Sequence, residues 1–114
     1  MPSLDDKRHE AVEAVNQLTT LLARCEEFYW ASVLYPIKDA LENWDLDEAV
    51  TMYRAIPMTG MGGFPDLVLS ELNGHIVRDY YDDNAVLKSL TASLRQAMAA
   101  LDACVQHGEE PPLG

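Results

Sequence analysis

Apolar residues recur along the first part of this chain at the spacing of a helix face. Ala11, Val15, Leu18, Leu22, Cys25 and Tyr29 follow one another at intervals of four, three, four, three and four, and Val12 and Leu21 widen the stripe. Residues three and four apart share one side of an α-helix, so this seam predicts an amphipathic helix with its apolar side inward. Ser3 is a good N-cap for it, with Asp5 and Asp6 where the helix dipole favours negative charge. A second seam runs through Trp30, Leu34, Ile37, Leu41 and Trp44 at intervals of four, three, four and three. Pro36 falls inside it. Proline removes a backbone donor and crowds the preceding turn, so a kink or break is expected there. The two seams must meet at a turn near Glu26 and Glu27, where no glycine marks it.

Asn43-Trp44-Asp45-Leu46-Asp47-Glu48 reads as a connection followed by a capping box, with Asp45 as cap and Glu48 reaching back. The third helix carries Leu46, Ala49, Val50, Tyr53 and Ile56 inward and stops before Pro57. A glycine-rich stretch follows: Gly60, Met61, Gly62, Gly63, Phe64, Pro65 and Asp66. Leu67-Val68-Leu69 fits either a short strand or a helical turn. Asn73-Gly74 is a strong turn signal, and with Ile76-Val77 beyond it a small β-hairpin is one outcome of the pattern. Asp82, Asp83 and Asn84 are N-cap candidates for a last helix with Leu87, Leu90, Leu94, Ala97, Leu101 and Cys104 inward. Gly108 ends that helix, and residues 109–114 read as a frayed tail. The expected fold is a single all-α domain over residues 1–114. It is a compact four-helix bundle with an irregular glycine-rich segment between the third and fourth helices.

Charge narrows the partners. The 114-residue chain has 19 Asp and Glu against 8 Lys and Arg, a formal net charge of −11. Such a balance repels phosphate backbones and anionic membranes, so neither nucleic acid nor membrane is an expected partner. It also keeps a small protein soluble, which is the plain reading. The sharper reading is attraction to a basic partner. The polar first ten residues do not form a signal peptide, and no apolar run approaches the ~20 residues of a membrane span. A cytoplasmic protein is expected. Cys25 and Cys104 occupy apolar helix positions and read as buried free thiols.

Candidate chemistry is sparse. His9-Glu10-Ala11-Val12-Glu13 begins like a zinc-protease helix but has Glu at the position of the second imidazole. The remaining histidines, His75 and His107, lie in unrelated contexts, and no Cys pair has metal-ligand spacing. No metal, cofactor or catalytic residue is expected, and the chain does not read as an enzyme. The glycine stretch lacks the Walker spacing and a Lys-Ser/Thr ending, and Asp66 would repel an anion. Its plain role is a tight packing loop, with Phe64 plugging the core and Asp66 capping a turn.

Two acidic clusters remain. Asp39, Glu42, Asp45, Asp47 and Glu48 place five carboxylates within ten residues. Asp79, Asp82 and Asp83 surround Tyr80 and Tyr81. Neither cluster has the alternating ligands and central glycine of a calcium loop. Solvated faces and helix caps explain part of both. An anionic surface with aromatic anchors is the functional alternative, since tyrosine is enriched at interface hot spots and charge complementarity speeds association.

The Trp30-Ala31 step, with Leu34 after it, and the segment Gly60-Met61-Gly62-Gly63-Phe64-Pro65-Asp66-Leu67 resemble a family of small bacterial helical proteins. That family carries a Gly-Met-Gly-Ser/Gly-Phe-x-Asp-Leu segment near its middle and looks like the immunity partners of polymorphic toxins. The resemblance implies stoichiometric neutralisation of a cognate toxin domain, and the net charge fits a basic toxin. Two alternatives stay open. One is an adaptor docking its partner at the glycine loop; the other is a small enzyme with a pocket beside Gly60–Asp66, using Asp66 with Asp79 or Asp82. Oligomeric state is not legible.

Overall fold

The computed structural model describes residues 3–56 and 67–106. They form four α-helices: α1 (Leu4–Arg24), α2 (Phe28–Glu42), α3 (Leu46–Arg54) and α4 (Tyr80–Gln106). A single 3-10 turn, Glu71–Asn73, precedes α4. α1 packs against α2 and α4, and α3 closes on α2 and α4. The expected all-α four-helix fold is what forms. The inward face of each seam supplies the core: Val15, Leu18, Leu22, Leu34, Ile37, Leu41, Leu94 and Leu101 are sealed from solvent.

Ser3 starts α1 as expected. Its hydroxyl accepts the Asp6 N–H at 3.1 Å while the Asp6 carboxylate accepts the Ser3 N–H at 3.2 Å, a reciprocal capping box. The first seam stops at Cys25; Tyr29 belongs to α2 and is exposed. α2 runs through Pro36 without a break. Pro36 lies on the exposed side, where the Ser32 carbonyl it leaves unpaired is open to water.

The two tight corners are the same motif used twice. At the first, the Glu26 N–H bonds the Ala23 carbonyl at 3.0 Å and the Glu27 N–H bonds the Leu22 carbonyl at 2.8 Å. At the second, the Trp44 N–H bonds Leu41 at 3.3 Å and the Asp45 N–H bonds Ala40 at 2.8 Å. Both are Schellman closures, which need a left-handed residue after the helix. Glycine usually fills that place. Here Glu26 (φ 59°) and Trp44 (φ 60°) do, which is why no glycine announced either corner.

Three expectations are corrected. Asp45 stands at the N-cap of α3 but makes no side-chain capping bond, so the capping box with Glu48 does not form. α4 begins earlier than expected: Asp79 caps it, its Oδ1 accepting the Asp82 N–H at 2.9 Å, which places Asp82 and Asp83 inside the first turn. The hairpin is absent. Leu67–Ser70 is irregular, and Gly74, at φ 83°, closes the 3-10 turn instead of a strand pair. The competitor to the hairpin is Asn84. Its amide donates to the Leu69 carbonyl and accepts the Leu69 N–H, both at 2.8 Å, taking both backbone groups that a ladder partner would use. Leu69 is thereby pinned, fully buried, against α4. The glycine-rich residues 60–66 and the tail 109–114 lie outside the described residues.

α3 spans nine residues and α4 twenty-seven. At 1.5 Å per residue the difference is about 27 Å, so α3 covers only the C-terminal part of α4. An ion pair from Arg54 to Asp102 fastens α3 there. Beside the N-terminal half of α4 runs the irregular segment instead of a helix. That mismatch shapes the surface described next.

Candidate functional site

Contacts between remote residues fix two ends of the bundle. At one end Lys7 Nζ meets Cys104 Sγ at 3.1 Å, and Arg8 reaches the Leu41 carbonyl at 3.3 Å. This end gathers the N-terminus of α1, the C-termini of α2 and α4 and the start of α3. At the other end Arg24 meets Asp83 at 2.5 Å, joining the C-terminus of α1 to the start of α4. α1, twenty-one residues long, separates the two by about 30 Å. The acidic clusters that look alike in sequence therefore occupy opposite ends.

At the Ser3 end Asp39, Glu42, Asp45, Asp47 and Glu48 are all exposed. One contact ties them down, a loose 3.8 Å pair between Glu42 and Lys38. Beneath them Arg8 is the organiser. Its guanidinium lies 4.4 Å from the centroid of the Trp44 ring, pairs with Asp5 at 3.1 Å, and places positive charge at the C-terminus of α2.

At the Arg24 end the cluster divides. Asp79 and Asp82 are exposed, as are Tyr80 and Tyr81, whose rings stand edge to face with centroids 5.2 Å apart. Tyr81 is 83% exposed. Asp83, grouped in the sequence with the candidate contact residues, is only 6% exposed. One oxygen takes Arg24, and the other accepts the Arg78 N–H at 3.0 Å. The Arg24 hydrogen bond holds the Asp83 carboxyl below the usual carboxylate range, against a smaller opposing push from burial. The same bond raises the Arg24 guanidinium.

A buried pair at this end escaped the sequence reading. His75 Nε2 meets Glu27 Oε1 at 3.1 Å, and His75 Nδ1 accepts the Ser70 N–H at 3.0 Å. Nδ1 is therefore the acceptor, so the ring proton sits on Nε2 and donates to Glu27. The other Glu27 oxygen accepts the Trp30 N–H at 3.1 Å and caps α2. A backbone bond from Ile76 to the Cys25 carbonyl, 2.9 Å, completes the seam. Glu27 and His75 lie 48 positions apart, and nothing local in either context signals the pairing. Neighbouring Cys25 is a free, buried thiol, pushed up by desolvation. Through these bonds the imidazole clamps the segment around Ser70 to the start of α2.

Around the clamp several large apolar side chains are exposed among charged ones. Phe28, Tyr29, Leu72 and Ile76 are exposed at the same end as Tyr80 and Tyr81, and Leu72 is 98% exposed. A groove of about 530 Å³ opens alongside α4, between Tyr53 on one flank and Leu67, Val68, Tyr80 and Tyr81 on the other. A second, polar groove of about 440 Å³ lies between α1 and α4, lined by His9, Glu10, Glu13, Gln17, Ser93 and Gln96. Among the described residues no group of three His, Cys, Asp or Glu is placed to hold a metal ion, and no helix is long and apolar enough to cross a membrane.

No protein-family model matches the chain, and neither a curated protein nor a solved structure matches it significantly.

Proposed function

We propose that this protein is a bacterial immunity protein that neutralises a basic toxin domain by stoichiometric binding, without catalysis, in the cytoplasm. The observation that carries the reading is the Arg24 end of the bundle. Large apolar side chains (Phe28, Tyr29, Leu72, Ile76, Tyr80 and Tyr81) are exposed there, on a base held by the Arg24–Asp83 ion pair and the Glu27–His75 hydrogen bond. A monomeric protein rarely exposes such a concentration of aromatic surface without a partner for it. Asp79 and Asp82 supply the negative rim for basic residues of the toxin. The five carboxylates at the Ser3 end contribute through the field of the whole molecule, drawing a basic partner in without touching it.

Co-expression with a basic toxin domain, should one be encoded beside this gene, in a sensitive host tests the reading. Growth restored by this chain, and a one-to-one complex on size exclusion, are the expected results. Tyr81→Ala and Leu72→Asp should raise the dissociation rate, because desolvated anchors act after docking. Charge reversal of Asp45, Asp47 and Glu48 should lower the association rate alone, with the effect fading as salt rises. Growth no better with the chain present, together with no complex, would sink the immunity reading.

A further inference from the structure

The groove beside α4 has a charge character opposite to the rest of the protein. Arg8, Arg24, Lys38 and Arg54 each pair with a carboxylate. Lys88 and Arg95 both line the groove, and neither has an ion-pair partner among the described residues. They stand seven positions apart on α4, two helical turns, so both ammonium and guanidinium leave the same face about 10 Å apart. Thr91 lies between them, its hydroxyl already donated to the Leu87 carbonyl at 2.7 Å. Across the groove Tyr53 is half-buried, and the positive charge of Arg95 acts on its phenol. Leu67, Val68, Ala85 and Leu87 give the wall an apolar stretch, with Asn84 and the two tyrosines beside it.

In a chain of net charge −11, Lys88 and Arg95 are two cations on one face of a helix with no carboxylate partner among the described residues, a state they share with Arg78. Each would gain from an anion that brings its own apolar body, because the wall beside them has no use for a polar one. The volume, about 530 Å³, lies within the range of small-molecule sites.

We propose that this groove binds a small amphipathic anion, an apolar or aromatic body carrying one carboxylate, sulfonate or phosphate. The headgroup sits between Arg95 and the Tyr53 hydroxyl, with Lys88 as the second cation. The body lies along Leu67 and Val68 toward Tyr80. Tyr53 serves as a donor at neutral pH, since burial keeps its phenol protonated against the opposing charge of Arg95. The two cations attract an anion locally against the net negative charge of the molecule. A basic toxin is therefore not the partner of Lys88 and Arg95, although Tyr80 and Tyr81 border both this groove and the surface proposed for the toxin.

The experiment is a titration of the protein alone with anilinonaphthalene sulfonate, followed by fluorescence, and displacement by dodecanoate. Saturable one-site binding and displacement are expected. The double variant Lys88→Glu with Arg95→Glu should weaken both ligands about tenfold or more while melting like the parent, as both side chains are exposed. Tyr53→Phe should weaken binding by a smaller factor. Dodecyltrimethylammonium, the cation of matched length, should fail to displace the probe. Three outcomes overturn the proposal: no saturable binding, equal affinity in the double variant, or displacement by the cation at the same concentration as by dodecanoate.

Discussion

At the Ser3 end of the bundle, Asp39, Asp45, Asp47 and Glu48 are exposed, and their carboxylates make no hydrogen bond or ion pair among the described residues. At the Arg24 end, Glu27 and Asp83 turn inward, and each is held by two donors: His75 and the Trp30 N–H for one, Arg24 and the Arg78 N–H for the other. The same residue type does opposite work. Outward carboxylates create a long-range field and leave the fold nearly indifferent to them. Inward carboxylates fasten an irregular segment to a helix corner and give the nearby exposed tyrosines a fixed base. Inward carboxylates belong to the Arg24 end, while outward ones occur at both ends, as Asp79 and Asp82 show.

Removing an inward carboxylate gives the largest expected effect. Asp83→Asn keeps the shape and loses the charge, leaving Arg24 with a neutral acceptor at a site that is nearly closed to water. A loss of about 2–3 kcal/mol is expected in urea unfolding at neutral pH. The pH dependence identifies the cause. The folded-state pKa of Asp83 is lowered below the unfolded value of about 3.9, so its contribution is present above that pH and disappears as pH falls through the lowered folded value. The gap between parent and variant should therefore be widest near neutrality and shrink below about pH 4. A gap that stays constant across this window would assign the loss to packing and not to the ion pair.

The two corners allow a sharper contrast, because they share one backbone and differ in what the left-handed residue does. Glu26 is exposed and contributes no side-chain contact that the corner uses. Glu26→Gly should therefore stabilise the protein by about 1 kcal/mol, the cost of holding a residue with Cβ in the left-handed region. Trp44 has the same φ but carries the ring against which Arg8 lies. Trp44→Gly recovers the same strain and loses the aromatic packing and the cation–π contact, for a net loss of about 2 kcal/mol. Thermal melts of the two variants should move in opposite directions. Shifts of the same sign would mean that the corners are not equivalent in backbone strain.

The helices were legible because each seam repeats over several turns, and the burial of Leu18, Leu34, Val50 and Leu94 follows directly from that repeat. What failed to show shares one physical cause: it depends on residues far apart in sequence. The hairpin suggested by Leu67–Leu69 and Asn73-Gly74 gives way to Asn84, which offers Leu69 both partners from fifteen positions away. In the cluster around Tyr80 and Tyr81, nothing local distinguishes Asp83, which is buried against Arg24, from the exposed Asp82 beside it. The clamp of Glu27 and His75 has no local signature at all. Proline and glycine rules were also overridden, at Pro36 by exposure and at Glu26 and Trp44 by the Schellman bonds.

The smallest expected effect tests whether the outward carboxylates are as idle in the fold as the geometry makes them. Replacing an N-cap Asp by Ala ordinarily costs about 1 kcal/mol, because a backbone donor loses its acceptor. Asp79 makes such a bond, to the Asp82 N–H at 2.9 Å, so Asp79→Ala should show the ordinary cost. Asp45 stands at the equivalent position of α3 without one. Its first-turn donors face solvent beside Asp47 and Glu48, whose charges already favour the positive end of the helix. Asp45→Ala should therefore change the unfolding free energy by less than about 0.5 kcal/mol, and removing one charge from a strongly acidic molecule offsets part of even that. Denaturation of the two variants side by side decides the matter. Equal losses would mean that Asp45 caps α3 in solution, and that the Ser3 end is built in the same way as the Arg24 end.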